Sequence, residues 1–155
     1  MERFSYVMLA FDGRIKRRTW LIYTLLILVA EQLTAIVLAN TLFPSNPLSP
    51  PGRDLTAYLD DRAAMLATLI FFWPALALDV KRWHDLGRSG LNVLIAYGPL
   101  TLLLTLETAR TTGWIAVSEP VHQGFLSLFG LVLLFYFIIL AARKGSPAVN
   151  RFGAP

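Results

Sequence analysis

Four stretches of this chain run sixteen or more residues with almost no charge, and that spacing excludes most soluble folds. Gly124–Ala142 is 19 residues of GFLSLFGLVLLFYFIILAA, and Trp20–Phe43 is 24 residues interrupted only by Glu31. Ala63–Leu78 and Leu91–Leu106 hold 16 uncharged residues each. Helices need about 20 apolar residues to cross a hydrocarbon core of about 30 Å, and the first block reaches about 36 Å at 1.5 Å per residue. The apolar residues are gathered in blocks and not spread at the period of a half-buried helix or strand. Only 15% of the chain is charged and its mean hydropathy is +0.56, where a soluble domain carries about 25% charge. The expected fold is therefore all-α, a polytopic membrane protein with a bundle of four transmembrane helices. One membrane domain covers 1–155, with spans at about 20–43, 63–80, 91–106 and 124–142.

The breaks between blocks agree. Pro44, Pro47, Pro50, Pro51 and Gly52 cannot continue a helix, so a loop follows the first span. Pro74 falls inside the second span and Gly98-Pro99 inside the third, where neighbouring helices satisfy the freed carbonyls; the third block is the shortest, and a re-entrant segment is its alternative. Lys and Arg set the orientation. Eleven of the 14 lie in the N-terminal segment (Arg3, Arg14, Lys16, Arg17, Arg18), the loop between spans two and three (Lys81, Arg82, Arg88) and the C-terminal tail (Arg143, Lys144, Arg151). Arg53, Arg62 and Arg110 fall on the other side. Both termini and the central loop are expected in the cytoplasm, as segments 1–19, 81–90 and 143–155.

The totals narrow the chemistry. A net charge of +4 and a pI near 9.8 suit nucleic acid in a soluble protein, but here the basic residues flank apolar blocks, so no nucleic-acid partner is expected. No cysteine is present, which rules out disulfides, thiolate metal sites and thiol nucleophiles. His84 and His122 fall on opposite sides of the membrane, so no metal site and no cofactor are expected. No cleavable leader is expected, because the first block is long enough to span and no small-residue cleavage site follows a short apolar core. Near the start, Phe4, Val7, Met8 and Phe11 share one helical face. They fit an amphipathic interfacial helix leading into the basic RIKRR run; a partly ordered tail is the alternative.

The segment Asp79–Gly90, DVKRWHDLGRSG, concentrates polar groups at the end of the second span. Continued as helix, it sets Asp79 near Arg82, and Lys81 and Arg82 near Asp85. Gly87 suits a C-terminal cap and Ser89 an N-terminal one, with Trp83 placed to anchor in the headgroup layer. Arg82 and Arg88 are suited to holding a phosphate. His84 beside Asp85 is a candidate acid–base pair, although adjacent residues on a helix point about 100° apart. The plain alternative is that these charges set topology, bond one another and touch lipid headgroups. Glu31 stands apart, near the middle of the first span. A charged carboxylate there costs about 2.5 kcal/mol or more. It is expected to hydrogen-bond across a helix interface or to face a wet cavity that serves ion-coupled transport.

Three motif pieces carry a resemblance: Phe11-Asp12-Gly13-Arg14 with Arg17 and Trp20; Arg82-Trp83-His84-Asp85-Leu86-Gly87-Arg88-Ser89-Gly90; and Lys144-Gly145-Ser146 followed by Asn150-Arg151-Phe152-Gly153 and Pro155. In this order they resemble the domain-of-unknown-function 805 family (DUF805), the YhaH-like bacterial inner-membrane proteins. Trp83 stands where that family usually has an aliphatic residue, Leu91 where it has an aromatic one, and Ala154 where it commonly has Asp. The resemblance implies a bacterial inner-membrane location and implies no activity. All three pieces fall on the expected cytoplasmic side. They make Arg14, Arg17, Arg82, His84, Asp85, Arg88 and Asn150 one candidate cluster for anionic lipid headgroups or a partner protein. Two rival readings remain open at the level of sequence. One is a small transporter or channel, a homo-oligomer with Glu31 and the proline-bearing spans near its path. The other is a lipid-phosphate enzyme using His84 with Arg14, Arg82 and Arg88; no residues stand at a mechanism-specific spacing for it, so a non-enzymatic protein is expected.

Overall fold

A computed structural model describes residues 4–42, 61–111 and 113–153. The expected proline-rich loop with Arg53, and the Ala154-Pro155 end, lie outside the described residues. Among those described, regular structure is helical: α1 (Phe4–Leu9), α2 (Arg17–Thr41), α3 (Asp61–Asp85), α4 (Leu94–Thr111) and α5 (Glu119–Ala142), with a 3-10 turn, Gly90–Val93, ahead of α4. Three of these are long and apolar enough to cross a membrane, namely Arg17–Thr41, Ala63–Asp85 and Glu119–Ala142; Gly90–Leu103 is apolar but shorter. Their side chains face outward as bilayer helices do. Leu25, Leu33 and Val37 on α2, Leu69 and Ile70 on α3, and Leu128, Leu131 and Phe135 on α5 are all more than half exposed, a surface no water-solvated domain sustains. This is a membrane protein.

Helix limits follow local chemistry. Pro74 sits inside α3 and Pro99 inside α4 without ending either. Beside Pro99, the Thr101 hydroxyl hydrogen-bonds to the carbonyls of Tyr97 (3.0 Å) and Gly98 (2.8 Å). α3 continues through the charged turn to Asp85 and ends at Gly87, whose φ of +72° only glycine adopts freely. The Gly87 amide donates to the His84 carbonyl and the Arg88 amide to that of Trp83, the paired bonds of a Schellman stop. Ser89 then caps the 3-10 turn, its hydroxyl accepting from the Leu91 amide. α5 begins at Glu119 behind the N-cap Ser118, with Pro120 in its first turn, five residues ahead of the block expected from sequence.

The chain forms two compact units. The first comprises Met1–Phe11 and Arg18–Leu78. Within it the Thr68 hydroxyl of α3 donates to Glu31 Oε1 of α2 at 2.6 Å, and buried Ala35, Ala39, Ala63 and Ala67 supply the small residues that let membrane helices approach. Val7 and Met8 of α1 are buried. Leu9 and Phe11 both meet Trp73: the indole N–H donates to the Leu9 carbonyl at 3.2 Å, and the Phe11 ring stands edge-on at 4.7 Å. The side chain of Phe4 is outside the described set.

The second unit comprises Asp12–Arg17 and Asp79–Pro155. In it α4 and α5 are in contact. Trp83 corrects the sequence reading: it is 5% exposed and its indole donates to the Tyr136 hydroxyl at 3.1 Å. An indole with a buried phenol partner is structural core and no headgroup anchor.

Candidate functional site

One carboxylate organises the polar end of the second unit. Asp85 closes α3 and is 3% exposed. Its Oδ1 accepts from Arg14 Nη2 at 3.1 Å, and its Oδ2 accepts from Arg82 Nη1. Both guanidinium groups are essentially sealed, with side chains 1% and 0% exposed. Buried charges persist only when paired and hydrogen-bonded, and the other donor nitrogens reach backbone carbonyls, except Arg14 Nε, which is buried without a partner. Arg14 Nη1 donates to the carbonyls of Ala148 (2.9 Å) and Gly153 (3.1 Å), and Nη2 to that of Ser146. Arg82 Nε donates to the Leu140 carbonyl at 2.9 Å and Nη2 to that of Arg143. The planar fork of arginine makes such multiple contacts possible where lysine could not.

The tail is thereby folded onto the helix ends. The Ser146 amide donates to the Asp85 carbonyl at 2.8 Å. A methyl group on Gly145 would stand 2.6 Å from Asp85 Oδ1 and closer still to the rest of the carboxylate, so only glycine fits there. Further on, Asn150 and Gly153 exchange backbone bonds in an isolated bridge, and Asn150 Oδ1 accepts from the Phe152 amide. Asn150 Nδ2 ties this turn to the His84 carbonyl at 3.0 Å. The Phe152 ring stacks on the His84 imidazole, 3.7 Å between centroids at 7°, with the Arg151 guanidinium 4.7 Å from the phenyl centroid.

His84 lies in the charged turn beyond the apolar stretch that ends at Leu78. Its Nδ1 is 3.1 Å from the Gly13 carbonyl; a carbonyl only accepts, so Nδ1 carries the proton. Burial pulls its pKa below the usual 6.5, the Gly13 hydrogen bond opposes this, and Arg151 pushes in the same direction as burial. The neutral tautomer with its lone pair on Nε2 follows. Gly90 lies over that edge, where an added methyl would be 3.2 Å from Nε2.

The structure brings Arg14, Arg82, Asp85, His84 and Asn150 together. Arg17 joins at the edge, half-buried, donating to the Ala142 carbonyl at 3.3 Å, and Arg88 is exposed. Glu31 belongs to the other unit. His84 and Asp85 face different partners, so they form no acid–base pair, and the Arg14 and Arg82 forks are occupied from within. A second set of residues escaped sequence reading: Asp79 Oδ2 accepts from the hydroxyls of Tyr97 (3.2 Å) and Tyr136 (3.1 Å), and Tyr136 in turn accepts from Trp83. A tyrosine six residues from the end of the most apolar helix was the available signal, since a buried phenol seeks a partner.

The chain matches the family DUF805, described as a protein of unknown function, over residues 8–154. The uncharacterized protein YiiR of Escherichia coli K12, and the protein of the same name from Escherichia coli O157:H7, are each similar to it at 32% identity over 104 residues, 66% of this chain. The chain spans 64% of the length of these curated relatives. No solved structure matches it. The family match takes in the Gly13-Arg14 turn, the Arg82–Gly90 segment and the Gly145–Gly153 tail, the pieces that converge on Asp85, and on that coverage this chain belongs to the DUF805 family.

Proposed function

We propose that this is a non-enzymatic inner-membrane protein with four spans and both termini in the cytoplasm, and that its cytoplasmic face holds anionic phospholipid headgroups. In this reading α4 with its leading 3-10 turn is the third span in chain order and completes the four. Arg14, Arg82, Asp85, His84 and Asn150 hold the platform in shape, while Arg17 and Arg88 meet the lipid phosphate together with Lys16, Arg143, Lys144 and Arg151. The observation that carries it is the division of labour among the cations. The two buried arginines share the Asp85 carboxylate and are otherwise bonded to backbone carbonyls, and the exposed cations, Lys16, Arg88, Arg143, Lys144 and Arg151, belong to the same unit. Cations held at the polar ends of apolar helices attract anionic lipid at about 1 kcal/mol each.

The test is native mass spectrometry of protein released in mild detergent with phosphatidylglycerol or cardiolipin added. The triple variant Arg17→Gln/Arg88→Gln/Arg151→Gln is expected to bind about 150-fold more weakly, the equivalent of about 3 kcal/mol. Equal lipid retention by wild type and triple variant overturns the reading.

A further inference from the structure

The first helix meets α3 at Trp73, well before that helix reaches its charged end. Its last residue, Leu9, offers its carbonyl to the Trp73 indole, and Phe11 stands against the same ring. Trp73 is six residues before Asp79, about 9 Å down the helix axis from the first charge. On its other side lies Thr68, the partner of Glu31, only five residues or about 7.5 Å further. Trp73 thus falls midway between the intramembrane carboxylate and the polar rim. Tryptophan prefers the headgroup level, where its N–H stays wet. A half-exposed tryptophan this deep needs a protein acceptor, and the end of α1 supplies one.

The need is reciprocal. A helix leaves its last four carbonyls without partners, and in hydrocarbon each unsatisfied group costs several kcal/mol. The Trp73 indole answers the Leu9 carbonyl at the place where α1 stops. The helix sequence, FSYVML, contains no charge. Val7 and Met8 are buried against protein while Leu9 is 56% exposed, as a residue that meets acyl chains would be.

We propose that α1 is seated within the cytoplasmic leaflet, docked on α3 through Trp73, and that its outer surface contacts lipid acyl chains. This rests on reading α2 and α3 as membrane spans. A short helix in one leaflet only displaces lipid on that side of the bilayer and ties the chain ahead of Asp12 to the flank of α3.

The absence of cysteine allows unique spin labels on the full chain in phosphatidylethanolamine–phosphatidylglycerol vesicles. Leu9→Cys, Leu69→Cys and Lys16→Cys are labelled in turn, and nitroxide collision is measured with oxygen and with a water-soluble nickel chelate. The proposal expects Leu9 to lose collision with nickel and gain it with oxygen, as Leu69 does, while Lys16 stays open to nickel. Leu9 behaving like Lys16 while Leu69 reads hydrocarbon overturns the seating and leaves the spans intact. Leu69 open to nickel overturns the spans themselves, and the seating with them. Trp73→Phe, which keeps the ring and removes the donor, is expected to raise nickel collision at Leu9; no change removes Trp73 as the dock.

Discussion

Gly145→Ala tests the tail lock most directly. The added methyl would overlap a carboxylate that cannot swing away, because Arg14 and Arg82 hold its two oxygens from different segments. Relief requires the tail to lift. Lifting it breaks the Ser146 amide bond to Asp85 and the Arg14 bonds to Ser146, Ala148 and Gly153. Hydrogen bonds to charged groups contribute about 1.5–3 kcal/mol each. Taking about 3 kcal/mol, the open population of the tail rises roughly 150-fold. Trypsin reports it at Lys144 and Arg151, because cleavage tracks the open population when opening and closing are fast. Gly124→Ala is the control, since its added methyl meets nothing within 4 Å. Equal digestion of wild type and Gly145→Ala, with the carboxyl end intact in both, would refute the argument.

Other expectations follow from the same contacts. Tyr136→Phe removes a donor to Asp79 and the acceptor of the buried Trp83 indole; a loss of about 1–3 kcal/mol should appear as a Tm lowered by roughly 2–4 °C per kcal/mol in detergent. Thr68→Val should cost about 1 kcal/mol by losing its bond to Glu31, while Glu31→Gln, which keeps an acceptor, should cost less; reversible unfolding in mixed micelles measures both. Because burial lowers the folded-state pKa of His84 below 6.5, the open tail binds the proton more readily than the closed one. The docked tail is therefore fully stable above pH 6.5 and loosens as pH falls below it. Tryptic cleavage of the tail should rise over that range in wild type, and His84→Gln should remove the pH dependence.

Most of the architecture was legible because it is local. The uncharged blocks give the long helices, Gly87 and Ser89 mark the turn between α3 and α4, and Arg82 and Asp85 lie one helical turn apart. The motif pieces around Arg14, Arg82–Gly90 and Gly145–Gly153 pointed to one cluster, but not to its interior. Which cation pairs with Asp85 depends on a residue 71 positions away, Arg14, and no periodicity encodes that. Trp83 misled for a related reason. Its amphipathic ring suits both a headgroup layer and a buried phenol, and only the arrival of Tyr136 decides between them. The Leu9–Trp73 bond was equally hidden, because its acceptor is backbone and leaves no trace in residue type.

The tail lock also sets an order of assembly. Chains fold from the amino end as they are made, so Arg14, Arg82 and Asp85 all leave the ribosome before residues 143–153. Until those arrive, the two guanidinium groups have one carboxylate between them and lack the carbonyls of Arg143, Ser146, Ala148 and Gly153. Residues 143–153, made after both arginines, therefore close the polar end of this unit. A chain stopped short of residue 143 would leave Arg14 and Arg82 sharing Asp85 without those carbonyls, and the cost of that deficit falls on the helix ends.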